Sequence, residues 1–459
     1  MVSLYFLEVP FFWDSVQLAS KQAHFFYENG FDTLILPNEI DSGHPPFFGV
    51  LLSLAWMVFG KTMAASHLLI VPFAIGSLFL AFQLGKLYLE NEVRALFFPL
   101  LLLVDPVLGS QSIMVSPDVL LVFGFLLTWF GIKASKSVFI IVGVIFLGLI
   151  SMRGMMCAAG LFFFSLFPNF QSLPDIKTIF KKLIPFLPGG IIGIGFLVFH
   201  FTQTGWIGFH PESPWAESFT GDGLAQIPKN AIILMWRMAD FGRVALLLVI
   251  GSIFGWYIFK QKAGKMALQS DLFPFLILLS LFLLPSFLMY KGLTGHRYLL
   301  PLMLVTSLIF LKTLEPYNLM DFILVNLIVV ASLIGGNWWV YPDKMAQGWD
   351  ATLGHVPYYS IRSELIQYLK DNNISPTDIG VEFPMIGSFE IHELNGKNEG
   401  FSKFDPLKSK FALFTNIINQ YSDEQILEFK SSWEPLKTWS SPTVHMTLYK
   451  NPNAWNGGN

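Results

Sequence analysis

Apolar residues fall in long runs separated by short polar breaks, at 1–13, 45–60, 64–86, 94–105, 117–134, 137–152, 154–168, 183–203, 242–260, 271–290, 297–313 and 319–341. Runs that are apolar on every face, rather than along one stripe, predict helices surrounded by lipid or by other apolar helices. Several fall short of the roughly 20 residues that cross a bilayer. Run 1–13 is short and holds Glu8 and Pro10, so the first helix is expected to start upstream or to be truncated. Run 45–60 opens with Pro45-Pro46 and is expected to be re-entrant or interfacial. From about 343 the pattern breaks down into mixed polar sequence, with helical spacing over 358–370 and a strand-like stretch over 379–386. The expected fold is an all-α polytopic membrane bundle of about 11 segments (1–342), followed by a soluble α/β domain (343–459).

Composition strengthens this picture. The 459 residues are 53% hydrophobic and 13% charged, where soluble domains carry about 25% charged residues, and mean hydropathy is +0.54. Such a chain cannot cover its surface with charge. A net charge of -3 lacks the basic footprint of nucleic-acid binding. The single cysteine, Cys157, excludes an intrachain disulfide. The first apolar run has neither a basic leader nor a small-residue cleavage site, so no cleavable signal peptide is expected.

Lysine and arginine set the orientation. Lys133 with Lys136, then Lys177, Lys181 and Lys182, then Lys260, Lys262 and Lys265 form three clusters expected on the cytoplasmic side, together with Lys86 and Arg94. Alternation then puts loops 14–44, 105–118 and 204–241, Arg153, the turn 291–297 and the C-terminal domain on the other face. Without a eukaryotic sorting signal, this reads as a bacterial cytoplasmic (inner) membrane protein whose C-terminal domain faces the periplasm.

The candidate chemistry gathers on that outer face. Asp14 follows the aromatic run Phe11-Phe12-Trp13, at a boundary where a carboxylate is partly desolvated and its proton affinity can be tuned. It is equally placed to cap the amphipathic helix expected from Ser15 to Glu28. Glu39, Asp41 and His44 lie close together ahead of Pro45-Pro46, as ligands for a metal or substrate or as a polar turn before a helix. No established metal-ligand spacing occurs, although boundary carboxylates could recruit a divalent cation. Asp118 follows Ser116-Pro117, where helix capping would account for it. Arg153, Lys291, His296 and Arg297 lie where the positive-inside rule disfavours cations. They either snorkel to headgroups or bind a lipid-linked phosphate. Trp215 and Trp236, near Glu217 and Asp222 in loop 204–241, suit either an interfacial belt or sugar stacking.

Taken in order, Trp13-Asp14, His44-Pro45-Pro46 through Phe59-Gly60, Ser116-Pro117-Asp118 and His296-Arg297-Tyr298-Leu299-Leu300-Pro301 resemble the GT-C superfamily of integral-membrane glycosyltransferases. The likeness is to bacterial members akin to the protein O-mannosyltransferases and the aminoarabinose transferases of lipid A, and it covers roughly 1–342. Where the family has an Asp-Glu pair, this chain has Asp14-Ser15, which leaves the second carboxylate unfilled or moved to Glu39 or Asp41. The resemblance implies an inverting glycosyltransferase that moves a sugar from a polyprenyl-phosphate donor to an acceptor hydroxyl on a protein, glycolipid or glycan. It implies Asp14 as general base, Arg297 with Lys291, His296 or Arg153 at the leaving phosphate, and Asp118 and Asp41 on acceptor or sugar hydroxyls. A transporter or flippase of a polyprenyl-linked or anionic substrate is the alternative, but such proteins usually carry internal repeats, and none is visible here. A non-catalytic membrane scaffold is the third reading.

Overall fold

The computed structural model describes residues 6–167, 174–213, 215–260 and 270–452. Lys262 and Lys265 therefore lie outside the described residues. Beyond residue 60 the apolar runs become helices whose ends lie within a few residues of the breaks in the sequence: Met63–Tyr88, Pro117–Lys133, Ser137–Ile150, Met152–Leu166, Leu187–Thr204, Val244–Lys260, Leu272–Met289, Leu300–Leu314 and Leu319–Gly335. By length and composition, five helical stretches among the described residues can cross a membrane, or seven if two bent pairs each count as one span. The bends are 55° between Glu92–Val104 and Pro106–Ile113, and 98° between Gly223–Ala239 and Val244–Trp256. Phe47–Phe59, Ser137–Ile150 and Met152–Leu166 are apolar but shorter.

Helix ends follow local chemistry. Ser151 accepts a hydrogen bond from the Gly154 amide (3.1 Å) and starts a new helix immediately after Ile150. Asp105 and Ser116 cap the Pro106–Ile113 and Pro117–Lys133 helices, each with proline in the first turn. The core is aromatic, with Phe275 stacked on Phe164 (4.2 Å between ring centroids) and edge-on to Trp129 (5.0 Å).

The structure departs from the sequence pattern in four places. Residues 6–13 form no helix: Phe12 is buried in the core of the C-terminal domain, stacked on His355 (4.9 Å), and the Phe11 amide donates to the His392 carbonyl (2.8 Å). An apolar run this short gains more from a protein core than it could from lipid. Stretch 105–118 is largely the Pro106–Ile113 helix rather than a loop, because its caps outweigh its polar side chains. Stretch 204–241 contains the amphipathic helix Gln226–Ala239, with Asn230 buried and bonded to the Phe287, Leu288 and Tyr290 carbonyls. The strand expected over 379–386 stops at Val381, where the chain turns ahead of Pro384.

The bundle has two chemically distinct ends. Pro117–Lys133 is about 25 Å long at 1.5 Å per residue, with Asp118 at one end and Lys133, paired to Asp271 (2.7 Å), at the other. Leu300–Leu314 likewise runs from beside Arg297 to Lys312, which pairs with Glu315. The C-terminal domain covers the Asp118–Arg297 end. Its six strands are β1 (Ile379–Val381), β2 (Gly387–Ser388), β3 (Gly400–Lys403), β4 (Phe411–Thr415), β5 (Glu434–Ser440) and β6 (His445–Lys450), in the order β2-β3-β1-β4-β6-β5. β1 pairs in parallel with β3 and β4, and the other pairings are antiparallel. Lys61 clasps this domain to the bundle through Glu390 (2.6 Å), with its ammonium over the Tyr27 and Trp56 rings.

Because Phe12 belongs to that second core, Phe12→Ala leaves a cavity at the junction and is expected to cost about 3–5 kcal/mol. A thermal or denaturant unfolding curve in detergent checks this; an unchanged midpoint would contradict the packing.

Candidate functional site

Two arginines, Arg297 buried and Arg153 partly buried, stand side by side where the bundle meets the C-terminal domain. Arg153 is in the first turn of Met152–Leu166, and Arg297 is in the 3₁₀ turn His296–Leu299 that leads into Leu300–Leu314. Each guanidinium carbon lies 5.0 Å from the Tyr298 ring centroid, and Arg153 Nη1 donates to the Arg297 carbonyl (3.0 Å). A cation in a helix's first turn opposes the helix dipole, so the helix gains nothing from Arg153 at that position.

Carboxylates from three distant segments hold the pair. Asp118 makes an ion pair with Arg153 and lies 3.6 Å from Arg297 Nη1. Asp14 pairs with Arg297 Nη2, and Asp350 lies 3.4 Å from Arg297 Nε. Asp14 is aimed by an unusual stretch of backbone. Trp13 has a φ of +56°, in the left-handed region, and residues Val16–Lys21 form a π-helical turn. Both features are costly and concentrate at functional sites. The Ser15 hydroxyl ties the preceding turn through the Phe12 amide (3.1 Å) and carbonyl (2.7 Å). The Asp14 carboxylate serves the guanidinium and makes no helix cap.

Asp350 is fixed from several sides: its carbonyl accepts from Gln111 Nε2 (2.8 Å), and neighbouring Trp349 donates to the Asn416 carbonyl (2.9 Å). Burial raises its carboxyl pKa to about 6; Arg297 pulls the value back, and Asp14 and Asp118 push it up. Below about pH 6, where Asp350 is protonated, Asp14 and Asp118 alone balance the two guanidiniums.

The arginines form one wall of a cavity of about 370 Å³. Its apolar wall includes Phe48, Met152, Met156, Phe209, Phe219 and Phe287, and its polar groups include Gln22, Ser42, His44, Ser218 and Tyr290. Burial lowers the His44 pKa to about 4, helped by Arg153 and Arg297, so the imidazole is neutral at pH 7; its Nδ1 has no partner. The loop carrying His44 is pinned by Gly43 (φ +67°), where a Cβ would meet the Gly208 carbonyl oxygen at 2.7 Å.

The structure thus brings Asp14, His44, Asp118, Arg153 and Arg297 together. Three other candidates lie apart from the cavity. Asp41 is buried against His200 Nε2 (2.9 Å) and binds the Gly43 amide (2.7 Å), so it braces the His44 loop. His296 turns away to Asp240 (2.8 Å), which also accepts from Tyr341 (2.6 Å). Lys291 is exposed, and its backbone amide donates to the Thr220 carbonyl (2.9 Å). Among the described residues, no group of three or more His, Cys, Asp or Glu is placed to hold a metal ion. Asp350 was missed by sequence reasoning, yet a signal was available: Trp349-Asp350 repeats the Trp13-Asp14 dipeptide just after the last apolar run.

The chain is thus a helical membrane bundle capped by a small mixed-sheet domain, with a charged cluster at the junction. Crystal structures of ArnT from Cupriavidus metallidurans share this fold along the whole chain. The apo form superimposes with a TM-score of 0.51 at 12% identity, covering 100% of this chain and 97% of that one. The form bound to undecaprenyl phosphate gives a TM-score of 0.53 at 11% identity, covering 97% and 96%. At these identities the likeness is one of fold. No protein-family profile and no curated protein matches the sequence.

The raised pKa of Asp350 has a consequence for stability. Between the ordinary carboxylate value of 3.8 and about 6, the folded protein keeps a proton that the unfolded chain has released. Stability from this group is therefore highest below pH 4 and is lost as pH rises to 6, by on the order of 3 kcal/mol. Asp350→Asn is expected to flatten the fall in thermal midpoint over that window relative to wild type; parallel pH profiles would refute the assignment.

Proposed function

We propose that this protein is an inverting glycosyltransferase that takes a sugar from a polyprenyl-phosphate donor and passes it to an acceptor hydroxyl. The observation that carries the reading is the paired guanidiniums of Arg153 and Arg297 on the wall of a largely apolar cavity. Guanidinium forks match phosphate oxygens in charge and geometry, and the apolar wall suits the first isoprene units. The shared fold with a protein crystallised with undecaprenyl phosphate supports the same class of donor.

In this reading the donor phosphate competes with Asp14 for Arg297, so donor binding frees the carboxylate. Asp14 then accepts the proton of the acceptor hydroxyl. The acceptor oxygen bonds to the anomeric carbon from the face opposite the phosphate, and the carbon–oxygen bond to phosphate breaks with inversion. The electron pair departs with the polyprenyl phosphate, whose second negative charge is met by Arg153 and Arg297. His44, neutral and with a free ring nitrogen, lines the cavity as a hydrogen-bond partner for the donor. Asp118 holds both arginines, and Asp350 braces Arg297.

The positive-inside pattern supports the corresponding topology. The Lys133 end faces the cytoplasm of a bacterial inner membrane, while the cavity and the domain beyond residue 342 face the exterior. The acceptor is a protein, glycolipid or glycan hydroxyl presented there.

The test is transfer of labelled sugar from polyprenyl-phosphate donors to membrane-extract acceptors by purified protein in nanodiscs. Asp14→Asn, with an unchanged size-exclusion profile, is expected to lower transfer by about a hundredfold or more. Full transfer by the folded variant would move the base elsewhere, and no transfer by wild type from any donor would end the reading.

A further inference from the structure

The charges facing the cavity restrict what the sugar can be. All 32 acidic residues lie among the described residues, since the remaining stretches contain no Asp or Glu. None of the 32 lines the cavity, whose charged lining residues, among the described residues, are Arg153 and Arg297. The nearby buried acids are committed elsewhere, Asp118 to both arginines, Asp350 to Arg297 and Asp41 to His200, while Glu217, in the same turn as Trp215 and Ser218, is solvent-exposed and outside the cavity lining. Asp14 is the one carboxylate that donor binding would release. It must accept the acceptor's proton in each turnover, so it cannot also be a standing counter-ion to the sugar. An ammonium group in this cavity would sit near two guanidiniums in a partly desolvated site whose lining offers no carboxylate to hydrogen-bond it, an arrangement that low local dielectric makes expensive. The groups that do face the cavity are neutral hydrogen-bonders (Gln22, Ser42, Ser218 and Tyr290), with the aromatic faces of Trp215 and Phe219 beside them.

Resting on the donor reading above, we infer that the transferred sugar is uncharged, a hydroxyl-bearing or N-acylated sugar rather than one with a free amine. The cavity selects it by hydrogen bonds and aromatic faces, while the arginines serve the phosphate alone.

The test compares four lipids that compete with labelled polyprenyl phosphate for the protein in nanodiscs at pH 7. They are unlabelled polyprenyl phosphate without sugar, a polyprenyl-phosphate hexose, a polyprenyl-phosphate amino sugar with a free amine, and the N-acetylated form of that amino sugar. The hexose and the N-acetylated lipid are expected to bind at least about tenfold more tightly than the free amine. Gln22→Glu, which places a carboxylate in the cavity at nearly constant shape, is expected to narrow or reverse that preference. A free-amine lipid that binds wild type as tightly as its N-acetylated form would overturn the inference and leave the donor reading standing. Failure of every lipid, including sugar-free polyprenyl phosphate, would overturn both.

Discussion

Two guanidinium groups buried within reach of one tyrosine ring repel each other and have lost much of their water. They can stay there only if carboxylates come to them. Here the carboxylates arrive from residues 14, 118 and 350, which lie at the N-terminal segment, a helix start in mid-chain and the link to the C-terminal domain. Meeting that electrostatic demand is what joins the bundle, the N-terminal segment and the soluble domain at one point. The surrounding packing, with Phe12 in the second core and Lys61 on Glu390, holds those segments in register around it.

Buried ion pairs rarely stabilise a fold over apolar residues of the same volume. Several features at this junction run against local stability: Arg153 at the positive end of a helix, Trp13 in the left-handed region, the π-helical turn after Asp14, and an acid at residue 350 buried enough to keep its proton to about pH 6. Costs of this kind gather where a structure has been shaped for something other than stability. The proposed role accounts for them together. In that role, a phosphate entering the cavity would supply the anion that the arginines lack on that side and relieve Asp14 of its part in balancing them.

Much of the fold could be read from the chain because lipid and apolar cores impose simple patterns. Breaks at Ser116-Pro117 and Asp105-Pro106 are caps, and caps have recognisable residues. The exceptions were places where tertiary contacts decide. The 1–13 run looks like half a membrane helix until Phe12 is seen inside the C-terminal domain. The polar stretches 105–118 and 204–241 conceal helices whose polar side chains donate to distant backbone carbonyls, as Gln111 and Asn230 do. Among the candidate residues, the cluster of Asp14, His44, Asp118, Arg153 and Arg297 was legible as polar groups at apolar boundaries. His296 and Lys291 share the same local signature, and only side-chain direction separates them from Arg297. Asp350 and His200 were invisible to spacing because their partners, Arg297 and Asp41, are 53 and 159 residues away.

The central claim is that the Arg153–Arg297 pair is a phosphate site. It is tested most directly by determining the structure of the protein in nanodiscs with undecaprenyl phosphate. The predicted result is the phosphate lodged between the two guanidiniums with its chain running along Phe48, Met156 and Phe287, and Asp14 released from Arg297. A phosphate bound elsewhere on the protein, with the Asp14–Arg297 pair intact, would contradict it.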